Sequence, residues 1–328
     1  MQALRLYAGP QARRHIEEHG LRPQDVRVVP GAAGGPKGLV LGPLDRFIFG
    51  DWLAGSSQRV HLVGASIGAW RMATACLDEP VTAFQRLEDD YIRQHFDWQP
   101  GQKRPSAQHV SEQFGQSLQD FYGGRVLQVL QHPRYRLHIV TSRGRHVLGR
   151  EGRVRTPLGY TGALLSNALS RRTLGAWLER VVFSSPGEAL PVDLSDLRHR
   201  QVRLTAENFR PALLASCSIP FALKAVHDIP CAPPGAYWDG GITDYHLHWN
   251  YPSINRGAAQ GTGLAHGLVL YPHFQKAVVP GWLDTALTHR PRAPPCRAHV
   301  GVRAPAPAWG RRPRSPGFPP SAGAGPGR

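Results

Sequence analysis

Only four cysteines occur in 328 residues, and none forms a CxxC pair. Cys76, Cys217, Cys231 and Cys296 are scattered, which argues against a disulfide framework or a structural zinc site. Sparse cysteine fits a reducing, cytoplasmic setting. No run approaches the roughly eighteen consecutive apolar residues that a membrane span needs. The N-terminal stretch, Met-Gln-Ala-Leu-Arg-Leu-Tyr-Ala-Gly-Pro, lacks the apolar core of a secretory signal. Acidic residues are also scarce: 23 Asp and Glu stand against 39 Lys and Arg, a net charge of +16. The imbalance is uneven, because 290–328 holds eight Arg and no Lys, Asp or Glu. The rest of the chain is moderately basic, which favours an anionic membrane surface or an anionic substrate. Nucleic acid is not expected as a partner. No binding module is present, and basic and aromatic residues do not alternate in the body.

Two segments go from a short apolar strand through a glycine turn into a helical pattern. The β-branched run 26–29 leads through the glycine-rich loop 31–38 into apolar residues at helical spacing over 39–53. Pro43 is expected to distort the first turns of that helix. The strand 59–63 leads through a second glycine turn into a helix over 69–76. Repetition of this unit predicts an α/β layered fold around a mainly parallel sheet. Further along, helices are expected over 82–96, 106–131, 164–179 and 207–215. Strands are expected over 137–141, 181–183, 202–205 and 236–238, with a last one over 267–271.

From residue 290 the pattern changes. Of the 39 residues that follow, 31 are Arg, Pro, Gly or Ala, and apolar periodicity vanishes. This predicts one domain over 1–289 and a disordered tail over 290–328. Codons for those four residue types begin with G/C pairs, so a GC-rich message read out of frame would also give such a tail.

Three motifs can carry chemistry. Gly64-Ala65-Ser66-Ile67-Gly68 is a G-x-S-x-G between a strand and a helix. A sharp turn there lifts the Ser66 hydroxyl clear of the sheet, and Gly64 and Gly68 remove side chains that would collide in it. The following helix aims its N-terminal amides at the same place. Gly34-Gly35-Pro36-Lys37-Gly38 can bring backbone amides close to a developing oxyanion. It is not a nucleotide loop, because Pro36 and Gly38 occupy the places where a P-loop needs Gly before the Lys and Ser or Thr after it. Trp238-Asp239-Gly240-Gly241 puts a carboxylate at a strand end. On its own that is a common turn sequence, but beside a serine it is a base.

Taken in this order, the three motifs resemble the patatin-like phospholipase family. Ala215-Ser216-Cys217-Ser218-Ile219-Pro220-Phe221 is similar to the small-residue segment that precedes Asp-Gly-Gly there. The resemblance spans about 26–271. It implies a three-layer α/β/α sandwich with a mainly parallel central sheet, and a Ser–Asp dyad with Ser66 as nucleophile and Asp239 as base. It also implies an oxyanion hole shaped by Gly34, Gly35 and Lys37, with Gly38 supporting that turn and Gly240 and Gly241 supporting the base. The implied activity is hydrolysis of fatty-acyl esters of phospholipids or other acyl lipids, without metal or cofactor, in transient contact with a membrane surface. One departure is that Ile242-Thr243-Asp244-Tyr245-His246 follows Asp-Gly-Gly, where the family often has Asn and Pro.

Other readings share the nucleophile. A Ser-His-Asp esterase would recruit His227, His246 or His248, all near Asp239 in sequence, although His246 and His248 follow the acid very closely. An acyltransferase would pass the same acyl group to an alcohol. A catalytically weak lipid-binding protein would keep the fold alone. Trp52, Trp70, Trp98, Trp177, Trp238, Trp249 and Trp282 are candidates for an acyl pocket or for core packing. Alternation along its strand should turn Trp238 away from Asp239.

Overall fold

The computed structural model describes residues 4–96, 105–187, 189–251, 267–285 and 287, together with the backbone of a strand at 300–305. Ten strands form one sheet. They are β1 (Leu4–Ala8), β2 (Val26–Gly31), β3 (Val60–Ala65), β4 (Tyr135–Gly144) and β5 (Leu178–Ser184), then β6 (His199–Arg203), β7 (Val226–His227), β8 (Ala236–Asp239), β9 (Leu268–Pro272) and β10 (Val300–Pro305). The order across the sheet is β1-β10-β9-β2-β3-β4-β5-β6. From β10 to β4 every neighbour is parallel, as are β5 and β6. The β4–β5 pair and the edge strand β1 are antiparallel.

The helices are α1 (Pro10–His19), α2 (Gly42–Phe47), α3 (Ile67–Thr74), α4 (Pro80–Arg93), α5 (Ala107–Tyr122), α6 (Val126–Leu130), α7 (Arg155–Leu169), α8 (Ala206–Ser216) and α9 (Gly241–Asp244). Both faces of the sheet are covered, and the strands alternate between them. Val60 and Leu62 of β3, Leu137 and Ile139 of β4, and Val181 and Phe183 of β5 join a core with Trp70, Phe84, Phe121 and Phe209. Val63, Val140 and Val182 point the other way, toward Leu190, Leu247 and Trp249. This is an α/β fold with a mainly parallel central sheet, consistent with a three-layer arrangement. Among the described residues no helix is long and apolar enough to cross a membrane.

Several elements depart from expectation. The stretch expected as one helix over 39–53 is a 3₁₀ segment (Gly35–Leu41), then α2, then a wide turn (Ile48–Trp52). Pro43 opens α2 rather than distorting it, because the first-turn N–H has no intrahelical partner to lose. The helix expected over 106–131 breaks at Gly123-Gly124, where Gly124 takes φ 77°. The helix expected over 164–179 ends at Leu169. Leu178 and Glu179 instead begin β5, and the Glu179 carboxylate is held by Arg143. β1 and α1 are additional to the elements expected from the sequence. Residues 267–271 are not the last strand. Val300–Pro305, within the stretch expected to be disordered, inserts between β1 and β9. The remainder of 290–328 lies outside the described residues, as do Trp98 and Cys296. Cys76, Cys217 and Cys231 are free thiols.

Candidate active site

Two strands deliver the site because they share one edge of β4. β3 runs parallel to β4 and ends with Ala65 opposite Val140. β8 runs antiparallel along the same edge and ends with Asp239 opposite Thr141. The strands therefore approach head to head, and the residues at their tips become neighbours. One tip carries Ser66 and the other Asp239.

Ser66 has φ 56° and ψ −132°, the sharp turn expected of the motif. Holding a non-glycine residue there costs on the order of 1–3 kcal/mol, so the surroundings must enforce it. They do so with hydrogen bonds. The Ser66 amide donates to Ser216 Oγ (2.9 Å), and the Ser216 hydroxyl donates to the Val140 carbonyl (2.7 Å). Ala69 N–H donates to the Ser66 carbonyl (2.9 Å) and closes the first turn of α3. Gly64 and Gly68 are demanded by close approach. A Cβ on Gly68 would lie 1.9 Å from the Gly31 oxygen, and one on Gly64 would lie 2.4 Å from Ala69 Cα.

The Ser66 hydroxyl donates directly to Asp239 Oδ2 at 2.7 Å. Asp239 Oδ1 accepts the Gly241 amide at 2.7 Å. The Asp239 and Gly240 amides donate to the carbonyls of Ser218 and Ser216. The segment 215–220 thus grips both halves of the pair, which gives a structural role to its small residues. Burial drives the Asp239 carboxyl up to about 7, against the lowering effect of the Ser66 and Gly241 hydrogen bonds. A carboxylate so placed can accept a proton near neutral pH. Burial, reinforced by the Asp239 charge, pushes the neighbouring Cys217 thiol well up, so it stays neutral there.

A cavity of about 330 Å³ opens over the pair. Gly34 and Gly35 form one side, with backbone angles (φ 148° and 56°) that suit glycine. Their amides donate to no acceptor among the described residues. Lys37 is exposed and spends its amide on the Gly34 carbonyl at 3.4 Å. It shapes the loop and, unlike Gly34 and Gly35, does not line the cavity. Gly38 lies against Ile67, leaving 2.9 Å between that side chain and any added Cβ. The rest of the lining is mainly apolar, with Ile219, Pro220, Ile242 and Trp282 beside Tyr245. The chain matches no protein-family model, no curated protein and no solved structure.

The candidate histidines lie elsewhere. His246 is buried against His273 and Phe274, with Nδ1 accepting the Val279 amide (2.8 Å). Burial brings it down to about 2. His227 Nε2 accepts the Glu151 amide. His248 lines a separate cavity with Arg145 and Asp196. Trp238 turns away from Asp239 as alternation requires and meets Tyr160 edge-on at 5.8 Å. Of the tryptophans, Trp282 alone lines the cavity among the described residues. No group of three or more His, Cys, Asp or Glu among the described residues is arranged to hold a metal ion.

Sequence reasoning passed over Tyr245, Ile242 and the amide-to-hydroxyl tie from Ser66 to Ser216. Tyr245 and Ile242 belong to the segment 242–246 that follows Asp-Gly-Gly, and both line the cavity.

Proposed function

We propose that the protein is a patatin-like lipid acyl hydrolase with a three-layer α/β/α fold, and that it works through a Ser66–Asp239 dyad. The observation that carries this reading is the direct 2.7 Å hydrogen bond from Ser66 Oγ to a buried carboxylate, with no imidazole between them. Asp239 takes the hydroxyl proton as Oγ bonds to the ester carbonyl carbon. Charge that develops on the carbonyl oxygen is met by the unoccupied amides of Gly34 and Gly35. Fixed donors of this kind are worth about a hundred- to a thousandfold in rate each. Collapse of the tetrahedral intermediate breaks the ester C–O bond, and the alcohol or lyso-lipid leaves with the proton from Asp239. Water then gives its proton to Asp239 as it attacks the acyl-enzyme, and Ser66 is regenerated. The apolar wall of Ile219, Pro220, Ile242 and Trp282 suits an acyl chain better than a polar substrate.

The test has two parts. A fluorophosphonate probe should label wild-type protein at Ser66 and leave Ser66→Ala unlabelled. Incubation with a panel of phospholipids, lyso-lipids and acylglycerols should release fatty acid with wild type only. Well-folded wild-type protein that takes no label would remove the hydrolase reading and favour a lipid-binding protein.

A further inference from the structure

Helix α7 has a face that globular packing does not explain. Its inward side is ordinary: Thr156, Gly159, Tyr160, Ala163 and Asn167 are buried at helical spacing. Its outward side should be polar. Instead Val154, just before the helix, and Leu158, Leu165 and Leu169 within it follow one another at steps of four, seven and four. They are exposed to 67%, 62%, 65% and 87%. A row of large apolar side chains on one solvent face is a mark of an interaction surface.

The helix that carries the row is tied to the cavity rim by its inward side. Tyr160, on the inward side, packs edge-on against Phe221, which is itself half exposed and follows the cavity residues Ile219 and Pro220. Asn167 and Arg171 hold Asp284, two residues beyond the cavity residue Trp282. Ile219, Phe221 and Trp282, at the mouth, are exposed apolar residues too.

Charge points to what covers it. No Asp or Glu occurs over 152–177. Arg153 and Arg155 stand at the start of the row, are exposed, and enter no ion pair among the described residues. Arg155 stands in the first turn of α7, where the helix dipole disfavours a cation, so helix stability does not account for it. A two-fold contact with the two helices parallel would set these arginines against their own equivalents. An anionic lipid surface meets both needs: acyl chains for the leucines and phosphates for the arginines.

We infer that the outward face of α7 is the surface by which the protein docks on an anionic bilayer, placing the cavity mouth at the lipid interface. The inference rests on the proposed lipid substrate, and its test separates the two. Full-length wild type, Ser66→Ala, and the triple variant Leu158→Gln/Leu165→Gln/Leu169→Gln are floated with phosphatidylcholine vesicles with and without phosphatidylserine. Hydrolysis of a water-soluble short-chain ester and of vesicle lipid is followed in parallel. Wild type and Ser66→Ala should bind the phosphatidylserine vesicles equally, and more salt should weaken binding. The triple variant should bind roughly tenfold or more weakly. It should lose vesicle hydrolysis to match and keep turnover of the soluble ester. If the triple variant does not fold, Leu169→Gln, at the most exposed position, carries the same comparison. Vesicle binding without any ester hydrolysis would remove the hydrolase reading and leave the docking surface standing. Absent wild-type binding, or equal binding by wild type and triple variant, overturns it. So does a wild-type dimer that the triple variant converts to monomer with vesicle binding unchanged.

Discussion

Asp239→Asn separates the chemistry of the proposed dyad from its packing. The amide is nearly isosteric with the carboxylate and can keep both contacts with one reversed. Its oxygen accepts the Gly241 amide as Oδ1 does now, and its NH₂ donates to Ser66 Oγ in place of accepting from it. The fold should survive while the base disappears. Loss of a general base costs on the order of 10²–10⁴ in rate, so kcat should fall by that much. The wild-type pH–rate profile should rise through a limb near 7, where Asp239 ionises. The variant's residual rate should lack that limb. Stability should move the opposite way. The Asp239 carboxyl titrates near 3.9 in the unfolded chain and at about 7 in the fold. Between those values the folded state holds a proton that the unfolded state has released, so wild-type stability falls as pH rises. Over roughly three pH units at 1.36 kcal/mol each, that loss approaches about 4 kcal/mol. Asparagine does not titrate, so the variant should gain on wild type from pH 4 to 7 and hold a constant margin above. Denaturant melts at pH 4.5 and 8.5, beside kinetics across the same range, measure both. A variant that keeps a tenth of the activity, or a limb near 7 that persists in it, would refute Asp239 as the base and return the role to a histidine.

Three further perturbations probe the supports. Gly68→Ala forces a Cβ to 1.9 Å from the Gly31 oxygen, so β2 and α3 must part. Activity should drop at least a hundredfold, and a thermal melt should show the matching loss of stability. Ser216→Ala strands the buried Ser66 amide and frees the Val140 carbonyl. A cost of about 1–3 kcal/mol should appear in denaturant melts, with kcat reduced more than KM is raised. Arg71→Met removes a guanidinium that holds buried Asp45 through two bonds of 2.6 and 2.7 Å. The uncompensated carboxylate should cost about 3–5 kcal/mol at neutral pH and less in acid, where Asp45 can take up a proton.

The parts of the fold legible in sequence are those where one physical rule dominates. The expected pieces of β2, β3, β4 and β5, at 26–29, 59–63, 137–141 and 181–183, are mostly apolar and buried, so their composition announces them. The boundary missed near 178 has a different origin. Glu179 and Arg180 look like a helix surface, yet both are buried in β5, where Arg143 meets Glu179 and Asp244 meets Arg180. Composition cannot distinguish an exposed charge from a buried, partnered one, because the partner lies dozens of residues away. β10 was hidden by the opposite effect. Its residues, Val-Gly-Val-Arg-Ala-Pro, sit inside an Arg-, Pro- and Gly-rich stretch, and pairing with β1 and β9 supplies what local propensity lacks.

The candidate site's two residues were legible for a related reason. Ser66 and Asp239 lie 173 positions apart, and no spacing rule links them. Each nevertheless ends a strand at a glycine turn, and strand ends are where a sheet offers side chains unencumbered by the ladder. The missing step was the register on β4. Val140 and Thr141 are consecutive, and they receive Ala65 from one direction and Asp239 from the other. A strand long enough to pair with β3 along its first half and β8 along its second forces the two tips together. Shortening β4's reach, rather than altering either motif, would separate them. A proline at Ser142, which loses the backbone donor there and crowds the β8 register at Trp238, should therefore abolish activity through β8 while leaving the β3 turn and its Ser216 tie in place. Fluorophosphonate labelling reduced to background in a variant that retains most of its sheet signal would bear this out, and undiminished labelling would show that the base is held by its own turn instead.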